Sequence, residues 1–506
     1  VIKFYGFELK MTSTDRSFLG HPRALAPLFA TELWERFSYY GIRPLLILFM
    51  TATLSTGGYG FDRPTAAAIV GMFAGSVYLA ALPGGWLADH VLGQARAMWW
   101  GSILIGLGHL SIALSMTVGK PAFFAGLGLI VLGTGLFKTC ASVMVGRLYT
   151  PDDPRRDGGY SIFYMGINLG AFVAPLLTGF LSEHYGWAWG FGAGGVGMLI
   201  ALLIYRFTAK ATFDRLANDL PPVKRQTIVR ILLVLLAVIA VITLLITMYS
   251  AVVLANGMTY VLAATVLLYV TWLLIFGGLN TGEKKRVLLC LLLFVAGTVF
   301  WSANEQQATA LNLFAKDFTD KNIAGFTIPV LWFQSINPIS IIVFAPIFGM
   351  LWRYWPSHEL SSSLGKFALG MLICAGAFSL MYVASNLVLA GQSQVSPYWL
   401  IATYVLSAIA ELCVSPIALA AMTLVAPRHL QGQMMGLWFM SVSLGNLIAG
   451  LTGGHVNPEN LADMPALFGR TTISLLIVAV VLMALAPIMK RWITTSDFNI
   501  KNSGQI

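Results

Sequence analysis

The sequence predicts an all-α integral membrane protein of fourteen membrane-crossing helices, ordered as six, then two, then six. Three observations carry that expectation. Charged residues make up 10% of the 506 positions, against about 25% in soluble globular chains. Apolar residues make up 57% and mean hydropathy is +0.77, more hydrophobic surface than a soluble core of this length can hide. The apolar residues also fall in runs of about 20, the length that crosses a bilayer when every backbone N–H and C=O is satisfied inside a helix.

The first run, 25–52, follows a polar segment, 1–24, with no short apolar stretch ahead of a small-residue cleavage site, so no cleavable signal is expected there. Runs at 65–88, 97–116, 122–145, 159–181 and 186–205 complete a first set of six. A basic stretch follows, with Arg206, Lys210, Arg215, Lys224, Arg225 and Arg230. Two runs come next, 231–254 and 259–278, joined by the short turn Ala255-Asn256-Gly257 and closed by Lys284-Lys285-Arg286. A hairpin that crosses and returns preserves parity, so it reads as an insertion between two halves. The second half holds runs at 287–311, 328–351, 367–389, 398–425, 434–453 and 472–489. The expected organisation is a cytoplasmic segment 1–24, a six-helix bundle 25–207, a basic linker with a transmembrane hairpin 208–286, a second six-helix bundle 287–491 and a cytoplasmic tail 492–506.

The net charge of +10 would raise a nucleic-acid hypothesis for a soluble protein. Here most Lys and Arg occupy gaps between apolar runs, without interleaved aromatics to track a phosphate backbone, and no nucleic-acid partner is expected. With the amino terminus in the cytoplasm, the inside loops hold 23 Lys and Arg and the outside loops five: Arg63, Lys120, Lys316, Lys321 and Arg470. The positive-inside rule then sets both termini in the cytoplasm. Cys140, Cys290, Cys374 and Cys413 each lie inside an apolar run without CxxC spacing, so they read as small packing residues with free thiols, and no metal is expected.

The informative residues are the ionisable ones inside the runs. At about 100° per residue, Glu32, Glu35, Arg36, Tyr39, Tyr40 and Arg43 share a sector of about 140° on the first helix. A single charge at mid-bilayer costs about 2.5 to 3.5 kcal/mol on insertion scales, so four on one helix must pair or line a wet cavity. Lys138, Glu305 and Glu411 lie deep in later runs, from both halves. A cavity built from these groups presents cations from the first half (Arg36, Arg43, Lys138) and carboxylates from the second (Glu305, Glu411), which suits a zwitterion. Pro44, Pro175, Pro338, Pro346 and Pro416 mark where these helices can bend. The segment Gly84-Gly85-Trp86-Leu87-Ala88-Asp89-His90, with Gly93 and Arg96 after it, suits close helix approach and a charged lock at the cytoplasmic end of the second run.

Two six-helix halves joined by a cytoplasmic linker follow the plan of the major facilitator transporters, with the substrate site between the halves. Within that plan the sequence resembles the proton-coupled oligopeptide transporter family, bacterial type. The motif ExxERFxYYG stands at Glu32 to Gly41, and FYxxINxG at Phe163 to Gly170. Supporting matches are Phe300-Trp301 with Glu305-Gln306, Phe333-Gln334-Ser335-Ile336-Asn337-Pro338, Glu411 with Ser415-Pro416, and Gly432 to Phe439. The resemblance covers about residues 21–490, and the extra hairpin is similar to that of bacterial members.

The resemblance implies import of di- and tripeptides by proton symport in the bacterial inner membrane, by a monomer, with the proton as coupling ion and no cofactor. It assigns proton coupling to Glu32, Glu35, Arg36, Glu305 and Lys138, and an outer gate pair to Arg43 and Glu305. Lys138 resembles the lysine that meets the ExxER carboxylates or the peptide carboxylate, and Glu411 the acid that receives the peptide amino group. Tyr39, Tyr40, Tyr78, Asn168, Asn337, Trp301 and Trp438 resemble pocket-lining positions, and Arg36, Arg43 and Ser415 join the substrate-binding set. Two departures stand out: Thr139-Cys140 where Pro-Asn is usual, and Asn304 where an aromatic is frequent. They bear on pocket shape and side-chain preference while leaving the charged framework intact.

Three other readings remain: a major facilitator carrier for another small anion or a drug, a non-transporting peptide receptor on the same fold, and a polytopic membrane enzyme. The enzyme reading lacks HExxH, GxSxG and P-loop motifs, and the seven histidines are scattered, with His109 the one well inside a run.

Overall fold

The computed structural model describes residues 18–150, 152–208, 225–323, 325–354 and 360–502. Among the described residues, fifteen α-helices run in chain order: α1 (Leu25–Thr51), α2 (Arg63–Leu87), α3 (Gln94–Val118), α4 (Lys120–Gly146), α5 (Arg156–Tyr185), α6 (Trp187–Thr208), α7 (Arg225–Met248), α8 (Ala251–Phe276), α9 (Thr281–Asn304), the short α10 (Ala310–Asp317), α11 (Ile336–Tyr354), α12 (Leu360–Leu389), α13 (Pro397–Val425), α14 (Gln431–Gly453) and α15 (Asp463–Asn502). Among the described residues, thirteen spans are long and apolar enough to cross a membrane, with α9 and α10 forming one of them. The fourteenth is α1, whose 27 residues have the length but carry the charged face.

Local chemistry sets the helix ends. The Asp62 carboxylate accepts from Thr65 N at 2.8 Å, with Pro64 in the first turn of α2. Asn280 and Glu283 form a reciprocal capping box at α9, 2.8 and 3.0 Å. A single residue, Gly119 at φ 102°, joins α3 to α4, and Gly186 at φ 95° does the same for α5 and α6. Side chains rarely adopt that left-handed backbone, so these one-residue turns call for glycine.

The helices pack as two bundles that repeat each other. In the first, α1 packs on α5 and α6, α2 on α4, and α3 on α4 and α6. In the second, α9 packs on α14 and α15, α11 on α13, and α12 on α13 and α15. The bundles meet along two equivalent seams, α2 with α14 and α5 with α11. With lipid as apolar as the side chains, close backbone approach is what drives such packing. A Cβ built on Gly101 would lie 2.6 Å from the Gly133 carbonyl oxygen, and one on Gly126 2.6 Å from that of Gly108. The same closeness holds the α2–α14 seam, where a Cβ on Gly71 would fall 2.8 Å from the Cα of Gly450.

The hairpin lies outside both bundles. Its α8 buries a stripe of Ala255, Leu262, Val266, Val270 and Leu273 against α2 and α14, and Tyr269 donates to the Gln433 side chain of α14. The described side chains of α7 are almost all exposed. The hairpin turn differs from the sequence expectation. Residues 255–257 lie inside α8, and the chain turns at 249–250, where the Ser250 side chain caps Val253 N at 3.4 Å. Asn256 spends its amide on Val252 O within the helix, at 2.9 Å, instead of making a turn. The run 287–311 is also discontinuous: α9 ends at Asn304, a 3-10 turn covers Glu305–Ala308, and α10 follows. Likewise 328–351 begins as a 3-10 turn, Val330–Ser335, before α11. A two-stranded hairpin pairs Asn322–Ile323 with Phe326–Thr327 between α10 and α11. At the carboxyl end α15 continues to Asn502, into the stretch expected as a tail.

Candidate substrate cavity between the bundles

One cavity of about 280 Å³ lies between the bundles. Its wall on the first bundle carries Arg36, Tyr40 and Arg43 from α1, Tyr78 from α2, Lys138 from α4 and Asn168 from α5. Its wall on the second carries Trp301, Glu305, Asn337, Glu411, Ser415 and Trp438. Twelve residues read from the sequence therefore meet at one place, with three cations on one side and two carboxylates on the other.

Glu32 and Glu35 stand behind that wall. The Nε of Arg36 lies 3.1 Å from Glu32 Oε1 and 2.5 Å from Glu35 Oε2, all three side chains being at most 5% exposed. These contacts are close but off-axis: among the described residues, Glu32 Oε2, both Glu35 oxygens and Arg36 Nη2 are buried without a hydrogen-bond partner. One guanidinium thus faces two carboxylates in a buried site. Lys138 acts electrostatically on both acids, yet its ammonium rests 3.4 Å from the centroid of the Tyr78 ring, in cation–π contact.

Arg43 closes one end of the cavity. Its Nη2 pairs with the Glu305 carboxylate and also donates to the Glu305 carbonyl at 3.3 Å and to Asn446 Oδ1 at 3.2 Å. Further bonds between the bundles cluster on this α1–α2 loop side. Asn312 donates to Pro44 O at 2.7 Å, Arg63 pairs with Asp317 at 2.7 Å and donates to Val456 O at 2.8 Å, and Trp332 and Ser335 reach carbonyls of α5 at 3.0 and 2.8 Å. The cavity is sealed on that side.

Glu411 is held by neutral groups. Asn304 Nδ2 donates to Glu411 Oε2 at 3.3 Å, and Gln307 Nε2 donates to Asn304 Oδ1 at 2.9 Å. Gln334 Nε2 donates to Gln307 O at 2.7 Å and to the Tyr404 hydroxyl at 2.8 Å. Asn304, one of the two departures, is thus the direct partner of the cavity acid. Asn304, Gln307, Gln334 and Tyr164 also line the cavity without having been singled out as lining residues from sequence. The amide-bearing side chains Asn304, Gln307 and Gln334 inside apolar runs were the available signal.

Tyr39, expected to line the pocket, does not. It is 3% exposed, with its ring 5.3 Å from Tyr40 and 6.4 Å from Phe73 in the first bundle. Of the other departure, Cys140 is fully buried and bonds to Leu136 O, while the Thr139 hydroxyl lacks a partner among the described residues. His109 sits inside the first bundle, 2.6 Å from the Ser38 hydroxyl through Nε2 and 3.2 Å from Phe191 O through Nδ1. Because a carbonyl only accepts, Nδ1 carries the proton and Ser38 donates to Nε2, which makes His109 a packing residue.

Two pseudo-symmetric bundles around a buried, oppositely charged cavity define a secondary transporter of the major facilitator type, and not an enzyme. The model of the POT family matches residues 95–464, and the chain belongs to that family. It is 52% identical over 495 residues to "Peptide transporter YePEPT" of Yersinia enterocolitica subsp. palearctica, covering 95% of this chain and 97% of that one. It is 32% identical to a di-/tripeptide transporter of Lactococcus lactis subsp. cremoris, covering 95% and 98%. Among solved structures, a peptide transporter POT in complex with sulfate superposes with a TM-score of 0.86 at 36% identity, covering 94% and 97%.

Proposed function

We propose that the protein imports di- and tripeptides across the bacterial inner membrane by proton symport with alternating access, as a monomer with both termini in the cytoplasm. Two relatives matched over 95% of this chain are peptide transporters, and the charge asymmetry of its loops supports the orientation. The observation that carries the substrate reading is the pair Lys138 and Glu411. They lie on opposite walls of one cavity, and among the described residues neither is consumed by an ion pair with another side chain. A peptide's carboxylate meets Lys138 and Arg36, and its ammonium meets Glu411, each as a charge-assisted hydrogen bond in a confined site.

Proton coupling follows from the two buried acid clusters. A proton on Glu305 removes the charge that holds Arg43, leaving it with neutral acceptors only and weakening the seal on the α1–α2 side. A proton on Glu32 or Glu35 frees Arg36 to engage the substrate carboxylate beside Lys138. Symport requires only that protonation and peptide binding favour the same conformation.

The test is uptake by purified protein in liposomes with an imposed pH gradient, acid outside. Dialanine and trialanine are expected to accumulate, tetraalanine and free alanine are not, and a protonophore abolishes accumulation. Uptake of dialanine that ignores the pH gradient would overturn the coupling. Uptake competed by nitrate or alanine but not by dialanine would favour a carrier for another anion, and peptide binding without uptake would favour a receptor.

A further inference from the structure

A second concave site lies on the first bundle, at the end away from the Arg43 seal. It is lined by Arg96 and Trp99 in the first turns of α3 and by Tyr205 and Arg206 in the last turn of α6. The floor is built: the Trp99 and Tyr205 rings are 5.1 Å apart, and the Tyr205 hydroxyl donates to Ala95 O at 2.8 Å, tying one helix end to the other. Both arginines are exposed, and among the described residues neither has an ion-pair partner. The neighbouring acid, Asp89, already accepts from the Gln94 side chain at 2.6 Å. The α3 terminus adds positive potential, because Gly93 caps it without a side chain.

The surroundings identify the occupant. Trp100 is 52% exposed and Phe207 83% exposed, so large apolar side chains adjoin the two guanidinium groups at the ends of membrane helices. Charges at head-group depth beside aromatic and apolar surface match the division of a phospholipid into phosphate and acyl chains. A free anion would satisfy the arginines and leave the apolar flank unused.

We propose that Arg96 and Arg206, over the Trp99–Tyr205 floor, bind the head-group phosphate of an anionic phospholipid whose chains lie along Trp100 and Phe207. Two planar guanidinium groups hold a phosphate from two sides. The bound lipid clasps the start of α3 to the end of α6.

The experiment is native mass spectrometry of the full chain in neutral detergent, titrated with phosphatidylglycerol, phosphatidylcholine or inorganic phosphate. The wild type is expected to retain phosphatidylglycerol in preference to phosphatidylcholine, and millimolar phosphate is expected not to displace it. Arg96→Gln and Arg206→Gln should each weaken retention about 5-fold, and the pair about 25-fold. Phe207→Ser, which keeps both charges, should weaken it several-fold, separating lipid from a free anion. Equal retention by the double variant would overturn the site. Complete displacement by inorganic phosphate, with Phe207→Ser unchanged, would overturn the lipid as its occupant.

Discussion

Two charged groups of side chains stand on opposite sides of the cavity, the first largely behind its wall, and are built in opposite ways. On the first bundle, Glu32, Glu35 and Arg36 crowd two anions and one cation into a buried site. On the second, Glu411 is one carboxylate held by a chain of neutral amides, Asn304 and Gln307, backed by Gln334 and Tyr404. In the first group one cation serves two acids, so on the proposed mechanism a single proton changes its pairing. The second has, among the described residues, no ion-pair partner to exchange. On the proposed mechanism the Glu32–Glu35–Arg36 cluster behind the first wall switches and the Glu411 site on the second holds, with Glu305 switching separately at the Arg43 seal.

Several substitutions sharpen or break that contrast. The largest effect belongs to Glu411→Ala. It leaves a substrate ammonium unpaired in a buried site, and losing one partner of a buried charge pair costs about 3 to 5 kcal/mol. Dipeptide affinity should fall by at least about 100-fold in both counterflow and gradient-driven uptake. Glu305→Gln comes next. It leaves Arg43 with neutral acceptors only, so a cysteine introduced on the sealed side of the cavity should become several-fold more reactive to an impermeant thiol reagent, with little further change as pH falls. Unchanged labelling would remove Glu305 from the seal.

Asn304→Leu tests the holding wall directly. Loss of one hydrogen bond to a charged group, worth about 1.5 kcal/mol, should raise KM for dialanine roughly 10-fold with kcat and the pH profile preserved. A shifted pH profile would mean that Glu411 also switches. The smallest effect is expected from Tyr404→Phe, at the far end of the amide chain from the carboxylate, at about 2-fold in KM.

Much of this arrangement was legible in the sequence, for a definite reason. Charges inside apolar runs are expensive, so Arg36, Lys138, Glu305 and Glu411 stood out and proved to share one cavity. Periodicity fixed the α1 residues relative to each other without saying which edge of their sector met the cavity. The cavity takes the edge holding Arg43, Arg36 and Tyr40, while Glu32, Tyr39 and Glu35, turned by up to about 100° from Arg36, face the first bundle's own helices. The breaks after Asn304 and before Ile336 carry no hydropathy signal, since a 3-10 turn can be as apolar as the helix it interrupts. Asn256-Gly257 pointed to a turn, but inside a membrane helix an asparagine amide satisfies itself on the preceding turn. The Asn304 network was visible only as amides within apolar runs, because its geometry needs residues from α9, the 3-10 turns on either side of α10, and α13 together.

The contrast between a switching wall and a holding wall rests on Glu35, whose carboxylate lies 2.5 Å from Arg36 and does not line the cavity. The direct measurement is dialanine transport by Glu35→Gln in one preparation of liposomes, assayed both by counterflow and by accumulation under an inward pH gradient. Counterflow should stay within about 2-fold of wild type while accumulation falls about 100-fold, the upper range of a coupling free energy between two sites. Accumulation at the wild-type level would contradict the account.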